Sequence, residues 1–337
     1  MGRHTNPLAF PNEGPSGYIL LDNEPLFRAK DHLRLEKPES IYSLQSLGYS
    51  DQEVAACESS FGYSSAFRIL SDEGIQIMKQ ICDRVNSNRN ASSGTGSNRL
   101  GSYVRGAGYR SNFIRDFCDS PELREHVSAI SEISLGRHSV PAVACGINYA
   151  PDDITKAIDT WHVDSVSFDI VMMVSNPTSM KGGEFQIFNG TKEEGQAILG
   201  IKGEEGANTA LPHEKVITIP IPAAGYGFLQ QGSMIFHRAC RLLEHAERVT
   251  MIPSFEILPR YAKDDTNSIN MASWADPGIC AELARHEISR ASARLDALLD
   301  QISLNDKPIA LASKIHRSVD KLLAFSKKLE SMGNKND

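Results

Sequence analysis

The stretch "DTWHVDSVSFDIVMM", residues 159–173, sets a histidine and an aspartate two positions apart in an otherwise apolar run. Alternate residues of a β-strand point to one face. His162 and Asp164 would therefore leave a rigid element side by side, both of them able to bind a metal. Alone, a His-x-Asp tripeptide is a weak signal, because a hydrogen-bonded pair on a strand face reads the same way. A third ligand has to come from a distant strand. "SMIFHRAC" supplies His237 at the end of an apolar run, and "ERVTMIPSF" then opens another β-like run with Arg248 and Thr250. Two histidines and one carboxylate on one face of an octahedral ion leave three positions open. That arrangement suits non-haem Fe(II) with a chelating co-substrate and O2. The guanidinium fork of Arg248 would grip a carboxylate through two parallel charge-assisted bonds, and the Thr250 hydroxyl would face the same way. His245, in "LLEHAERV", competes with His237 for the third position. It lies so close to Arg248 that little chain is left for a turn, and His237 is preferred.

Working outward, residues 140–258 are β-rich. "VPAVACGINYA", "GGEFQIFNG", "EKVITIPIPAAGYGFLQQGSMIFH" and "ERVTMIPSFEIL" are separated by Gly, Pro and Asn turn signals, which points to a sandwich or barrel. Upstream, "SDEGIQIMKQICDRVNS" has helical periodicity with Ser71 or Asp72 as N-cap, and "SPELREHVSAISEIS" starts a helix at Ser120-Pro121. Residues 86–102 are rich in Ser, Asn and Gly, and read either as a lid over a site or as a plain connector. Residues 1–40 form an arm with little core of its own. Beyond 260, "DPGICAELARHEISRASARLDALLDQIS" and "KPIALASKIHRSVDKLLAFSKKLESM" are two long amphipathic helices. Their stripes must be buried on the β core or on a second subunit, which leaves a homodimer through these helices open. The expected division is an N-terminal arm with short helices (1–60), a β core with supporting helices (61–260) and a helical extension (261–337).

A formal charge of −7 argues against a general nucleic-acid or anionic-membrane binder. The six cysteines form no C-x-x-C pair and suit free thiols in a reducing compartment. No apolar run approaches membrane-spanning length, and a cytoplasmic location is expected.

The ordered set "HVD", "FHR" and "ERVT" resembles the pattern of the Fe(II)/2-oxoglutarate-dependent dioxygenases, over roughly residues 140–258. The resemblance implies a mainly β core in an α+β chain: a double-stranded β-helix, the jelly roll of cupin type, flanked by N-terminal helices and a C-terminal helical pair. It implies that His162, Asp164 and His237 bind Fe(II), and that Arg248 binds the distal carboxylate of 2-oxoglutarate beside Thr250. Tyr149 and Asn148, in "INYAP", would touch the co-substrate. The implied reaction consumes O2 and 2-oxoglutarate, releases succinate and CO2, and oxidises a C–H bond of a small molecule. Hydroxylation is the default outcome, with desaturation or oxidative cyclisation in specialised metabolism as a second. Relatives that install halide lack the carboxylate, so Asp164 disfavours halogenation. "RLGSYVRGAGYRSNFIRDF" places Arg105 and Arg110 where one could bind a substrate carboxylate, as in an amino acid, or simply be solvated charges. Phe168 reads as core or pocket wall, and Gln186 as pocket or outward face. The competing functions are a cupin that binds a small ligand or metal without oxidising it, and a protein hydroxylase.

Overall fold

The computed structural model describes residues 4–87, 102–202, 207 and 209–333. Residues 88–101 of the expected lid lie outside the described residues. Thirteen strands are present among those described. They are β1 (Ile41–Ser43), β2 (Phe61–Ser64), β3 (Phe67–Arg68), β4 (Tyr103–Val104), β5 (Leu135–Arg137), β6 (Cys145–Tyr149) and β7 (Asp159–His162). There follow β8 (Phe168–Met173), β9 (Phe185–Phe188), β10 (Val216–Ile219), β11 (Tyr226–Gln230), β12 (His237–Ala239) and β13 (Val249–Ile257). All pairings are antiparallel. The larger sheet runs β1-β2-β11-β8-β13-β6-β4, with β3 on β11 and β5 on β13, and the smaller runs β10-β9-β12-β7.

The alternation along β8 shows how the layers are specified. Phe168, Ile170 and Met172 join a large core cluster with Met78, Ile81 and Val85 of the helix Asp72–Ser87 and with Leu123 and Val127 of the helix Pro121–Ser131. Val171 instead joins Tyr63 and Phe228 against Phe185, Ile187 and Ile219 of the smaller sheet. The larger sheet thus has helices on one face and the smaller sheet on the other. Both helices begin where their capping signals lie. The Ser71 hydroxyl accepts the Gly74 N–H at 3.0 Å, and the Ser120 hydroxyl accepts the Leu123 N–H at 3.2 Å.

The C-terminal helices Ile279–Leu299 and Pro308–Gly333 close a separate apolar cluster containing Leu283, Phe325, Val140 and Met271. Beneath it sits a polar network that sequence reading passes over, in which the His138 ring stacks on that of His286 at 5.3 Å. The Ser139 hydroxyl donates to Glu256 at 2.9 Å and lies 2.6 Å from His286 Nδ1. His286 Nε2 is 3.3 Å from Asp264, and Arg290 is 3.4 Å from Glu256. All of these groups are buried. All six cysteines are free, and among the described residues no helix is long and apolar enough to cross a membrane.

Candidate metal centre and anion pocket

Pairing of β7 with β12 puts His162 directly opposite His237, their ring centroids 4.2 Å apart. Asp164 follows β7, and its N–H donates to the Gly232 carbonyl at 3.0 Å. Its carboxylate reaches both imidazoles: Oδ1 lies 3.4 Å from His162 Nε2 and Oδ2 lies 3.3 Å from His237 Nε2. One ligand atom from each residue lies within 4.8 Å of the other two. Each Nδ1 faces a backbone carbonyl, that of Thr160 at 2.6 Å for His162 and that of Ile235 at 2.9 Å for His237. A carbonyl can only accept, so Nδ1 carries the proton and Nε2 turns its lone pair to the centre. The donor set, its tautomers and its convergence fit one divalent ion held on a single face. His245 is exposed and takes no part.

The carboxylate is supported by groups that sequence reading did not select. Gln230 Nε2 lies 3.3 Å from Asp164 Oδ2 and donates to Asp169 Oδ1 at 3.0 Å. Burial, and then the charge of Asp164, hold the Asp169 carboxyl well above the usual carboxylate range. Gly232 closes against both acids: a Cβ there would stand 2.3 Å from Asp169 Oδ2 and 2.6 Å from Asp164 Oδ2. Asp159, at the start of β7, brings a further carboxylate 3.4 Å from His162 Nε2. The signal for Asp169 was visible as an acid inside the apolar run "SFDIVMM".

Arg248 is 2% exposed. Its Nε donates to the Gly183 carbonyl at 2.9 Å, and its Nη1 lies 3.4 Å from Thr250 Oγ1. Gly182 and Gly183 both have positive φ, a backbone that side chains resist, and this turn aims the carbonyl at the guanidinium. No aspartate or glutamate among the described residues forms an ion pair with Arg248. Burial pushes its pKa down to about 10, so it stays a cation at neutral pH. The charges of Asp159 and Glu184 offset its burial only in part; a bound anion would offset the rest.

The other expected site residues divide by strand face. Asn148 stands opposite Thr250 and shares its face, with a buried Oδ1 that has no hydrogen-bond partner. Tyr149 is a correction. It pairs with Val249 on the opposite face, and its hydroxyl donates to the Cys82 carbonyl at 2.7 Å, inside the helix-side core. Phe168 is also a correction as pocket wall, since it is fully buried in that same core, against Phe61. Gln186 is a third. It neighbours Arg238, whose Nε and Nη2 donate to its Oε1 at 2.9 and 2.7 Å, on the side of β9 and β12 away from His237. Arg105 is engaged by Asp276 at 3.1 Å and stacks over Trp274 at 3.8 Å. Arg110 is buried beside the Tyr18 ring. A cavity of about 660 Å³ opens beside Asp164, lined by Tyr49, Val163, Lys192, Met234, Lys263 and Phe325 among others. That is within the range of small-molecule sites.

No protein-family model matches the chain, and no curated protein matches it. Similar solved structures include the non-haem α-ketoglutarate-dependent carbocyclase SnoK from nogalamycin biosynthesis, 14% identical over 65% of this chain and 90% of that one, with a TM-score of 0.42. The epimerase SnoN from the same biosynthesis is 14% identical over 58% of this chain and 78% of its own, with a TM-score of 0.41. HygX from Streptomyces hygroscopicus, solved with nickel and 2-oxoglutarate, is 11% identical over 61% and 86%, with a TM-score of 0.41. Those activities belong to those enzymes; the chemistry assigned to this chain comes from its own side chains.

Proposed function

We propose that this chain is a non-haem Fe(II)/2-oxoglutarate-dependent oxygenase built on a double-stranded β-helix, and that it oxidises a C–H bond of a small molecule. The observation that carries the proposal is Arg248: a buried guanidinium that makes no direct ion pair with an acid among the described residues, in the same fold as a convergent His162–Asp164–His237 set. A metal alone would explain the triad but would leave the burial of Arg248 only partly offset. A dicarboxylate co-substrate explains both. When bound, Fe(II) with 2-oxoglutarate and O2 supplies the oxidising chemistry, with succinate and CO2 as co-products.

The chain's own part is placement. His162 and His237 offer neutral Nε2 donors because the Thr160 and Ile235 carbonyls fix the tautomers. Asp164 supplies the anionic ligand, held by Gln230 and the Gly232 carbonyl. Arg248 anchors the far carboxylate of the co-substrate, with Thr250 and Asn148 on the same strand face completing its hydrogen bonds. The cavity beside Asp164 would hold the substrate. Hydroxylation, desaturation and ring closure all use this placement.

Release of succinate from 2-oxoglutarate under air, dependent on added Fe(II), tests the proposal. It is expected from the wild-type protein and lost in His237→Ala. Absence of succinate together with intact metal binding would favour the non-oxidising cupin.

A further inference from the structure

Five arginines are buried among the described residues: Arg105, Arg110, Arg137, Arg248 and Arg290. Three of them hold a carboxylate. Arg105 pairs with Asp276 at 3.1 Å, Arg137 with Asp119 at 2.5 Å and Arg290 with Glu256 at 3.4 Å. Arg248 has been assigned to the co-substrate above. Arg110 remains. Its residue is 5% exposed, its Nε is buried with no hydrogen-bond partner, and its guanidinium makes no hydrogen bond or ion pair among the described residues. Beside it, with the ring centroid 5.0 Å from the guanidinium carbon, lies Tyr18, whose buried hydroxyl also has no partner.

A protein interior leaves few donors unmatched, and two adjacent ones call for an acceptor. A planar guanidinium next to a phenolic O–H is matched by a carboxylate, which takes the fork on one side and the hydroxyl on the other. We propose that Arg110 and Tyr18 form a carboxylate-binding site that holds the acid group of the substrate. The word substrate rests on the reading in the preceding subsection; the carboxylate site does not.

The position agrees with that role. The segment from Asn267 to Asp276 runs from the wall of the cavity beside Asp164 to the ion pair with Arg105. Tyr103, two residues before Arg105, feels the charges of both Arg105 and the site acids Asp164 and Asp159. Tyr103 stands opposite Asn148 on β6, so the start of the segment that carries Arg105 and Arg110 adjoins the proposed co-substrate face. The Gly106 backbone has φ +65°, and a Cβ there would meet the Tyr18 hydroxyl at 2.8 Å, so glycine is what lets the phenol lie over this turn. Arg105 is not the binding group, because Asp276 already neutralises it.

The test is a ligand-observed NMR titration of protein loaded with Zn(II) and 2-oxoglutarate, using propionate and its neutral isostere propionamide. Propionate should saturate one site and propionamide should not. Arg110→Gln should weaken propionate by at least about tenfold, the loss expected for a charge-assisted pair. Tyr18→Phe should weaken it by less, and Arg238→Gln, on the far face of the smaller sheet, should leave it unchanged. The same titration in an Arg248→Gln background removes the co-substrate pocket, so its result stands whether or not 2-oxoglutarate binds. Equal binding of propionate and propionamide by the wild-type protein would overturn the proposal without any variant. So would unchanged propionate binding in Arg110→Gln, or inorganic phosphate displacing propionate at lower concentration.

Discussion

His162, Asp164 and His237 were legible as one cluster because each choice rests on residue type and strand period, and their order along the chain reduces coincidence. Gln230 was not, because what it touches is decided by pairing between strands distant in sequence. Two predictions belong to single residues. Arg248→Lys keeps a charge but loses the fork and the bond to the Gly183 carbonyl. It should weaken 2-oxoglutarate by about 10- to 100-fold, with metal affinity unchanged, as read by titration of the metal-loaded protein. Gly232→Ala should do the reverse. Its Cβ would press on both Asp164 and Asp169, so metal affinity measured by competition with a chelator should fall while the far-ultraviolet circular dichroism stays unchanged. Unaltered metal affinity in Gly232→Ala would show that Asp164 is not a ligand.

At the scale of elements, the strands themselves were readable from alternation and turn signals, but the face each side chain takes was less so. A shift of one residue turns a strand's whole set over: of the neighbours Asn148 and Tyr149, both expected from the resemblance, only Asn148 shares the face of Thr250, and Asp169 rather than its neighbour Phe168 reaches Asp164 through Gln230. The faces make separable predictions. Phe168→Ala should cost about 3–5 kcal/mol in denaturant unfolding. Tyr149→Phe should cost about 1 kcal/mol through loss of the bond to the Cys82 carbonyl. Neither change, nor Gln186→Ala, should alter 2-oxoglutarate affinity. A large loss of affinity in Tyr149→Phe would mean that the β6 faces are exchanged.

At the scale of the molecule, the C-terminal helices were evident as helices, while the polar network that fastens the helix Ile279–Leu299 to β13 joins residues too far apart in sequence to be paired by inspection. That network makes stability pH-dependent. Burial, followed by the charge of His286, pushes the His138 pKa from its ordinary 6.5 down to about 3. The folded state keeps it neutral, whereas the unfolded chain takes up a proton as pH falls below 6.5. His138 therefore contributes stability that is full above pH 6.5 and is lost as pH falls toward 3, with a slope of at most about 1.4 kcal/mol per pH unit. Denaturant midpoints between pH 4 and 7 should fall more steeply for the wild-type protein than for His138→Asn; equal slopes would remove His138 as the cause. On the proposed function, the whole molecule holds one arrangement: a facial metal set with a separate carboxylate anchor. The most direct test is an anaerobic titration of the protein with Fe(II) and then 2-oxoglutarate, followed through the visible metal-to-ligand charge-transfer band. The band should form with the wild-type protein and with His245→Ala, vanish in His162→Ala and His237→Ala, and require far more 2-oxoglutarate in Arg248→Ala. A wild-type protein that binds Fe(II) yet gives no band would contradict the account.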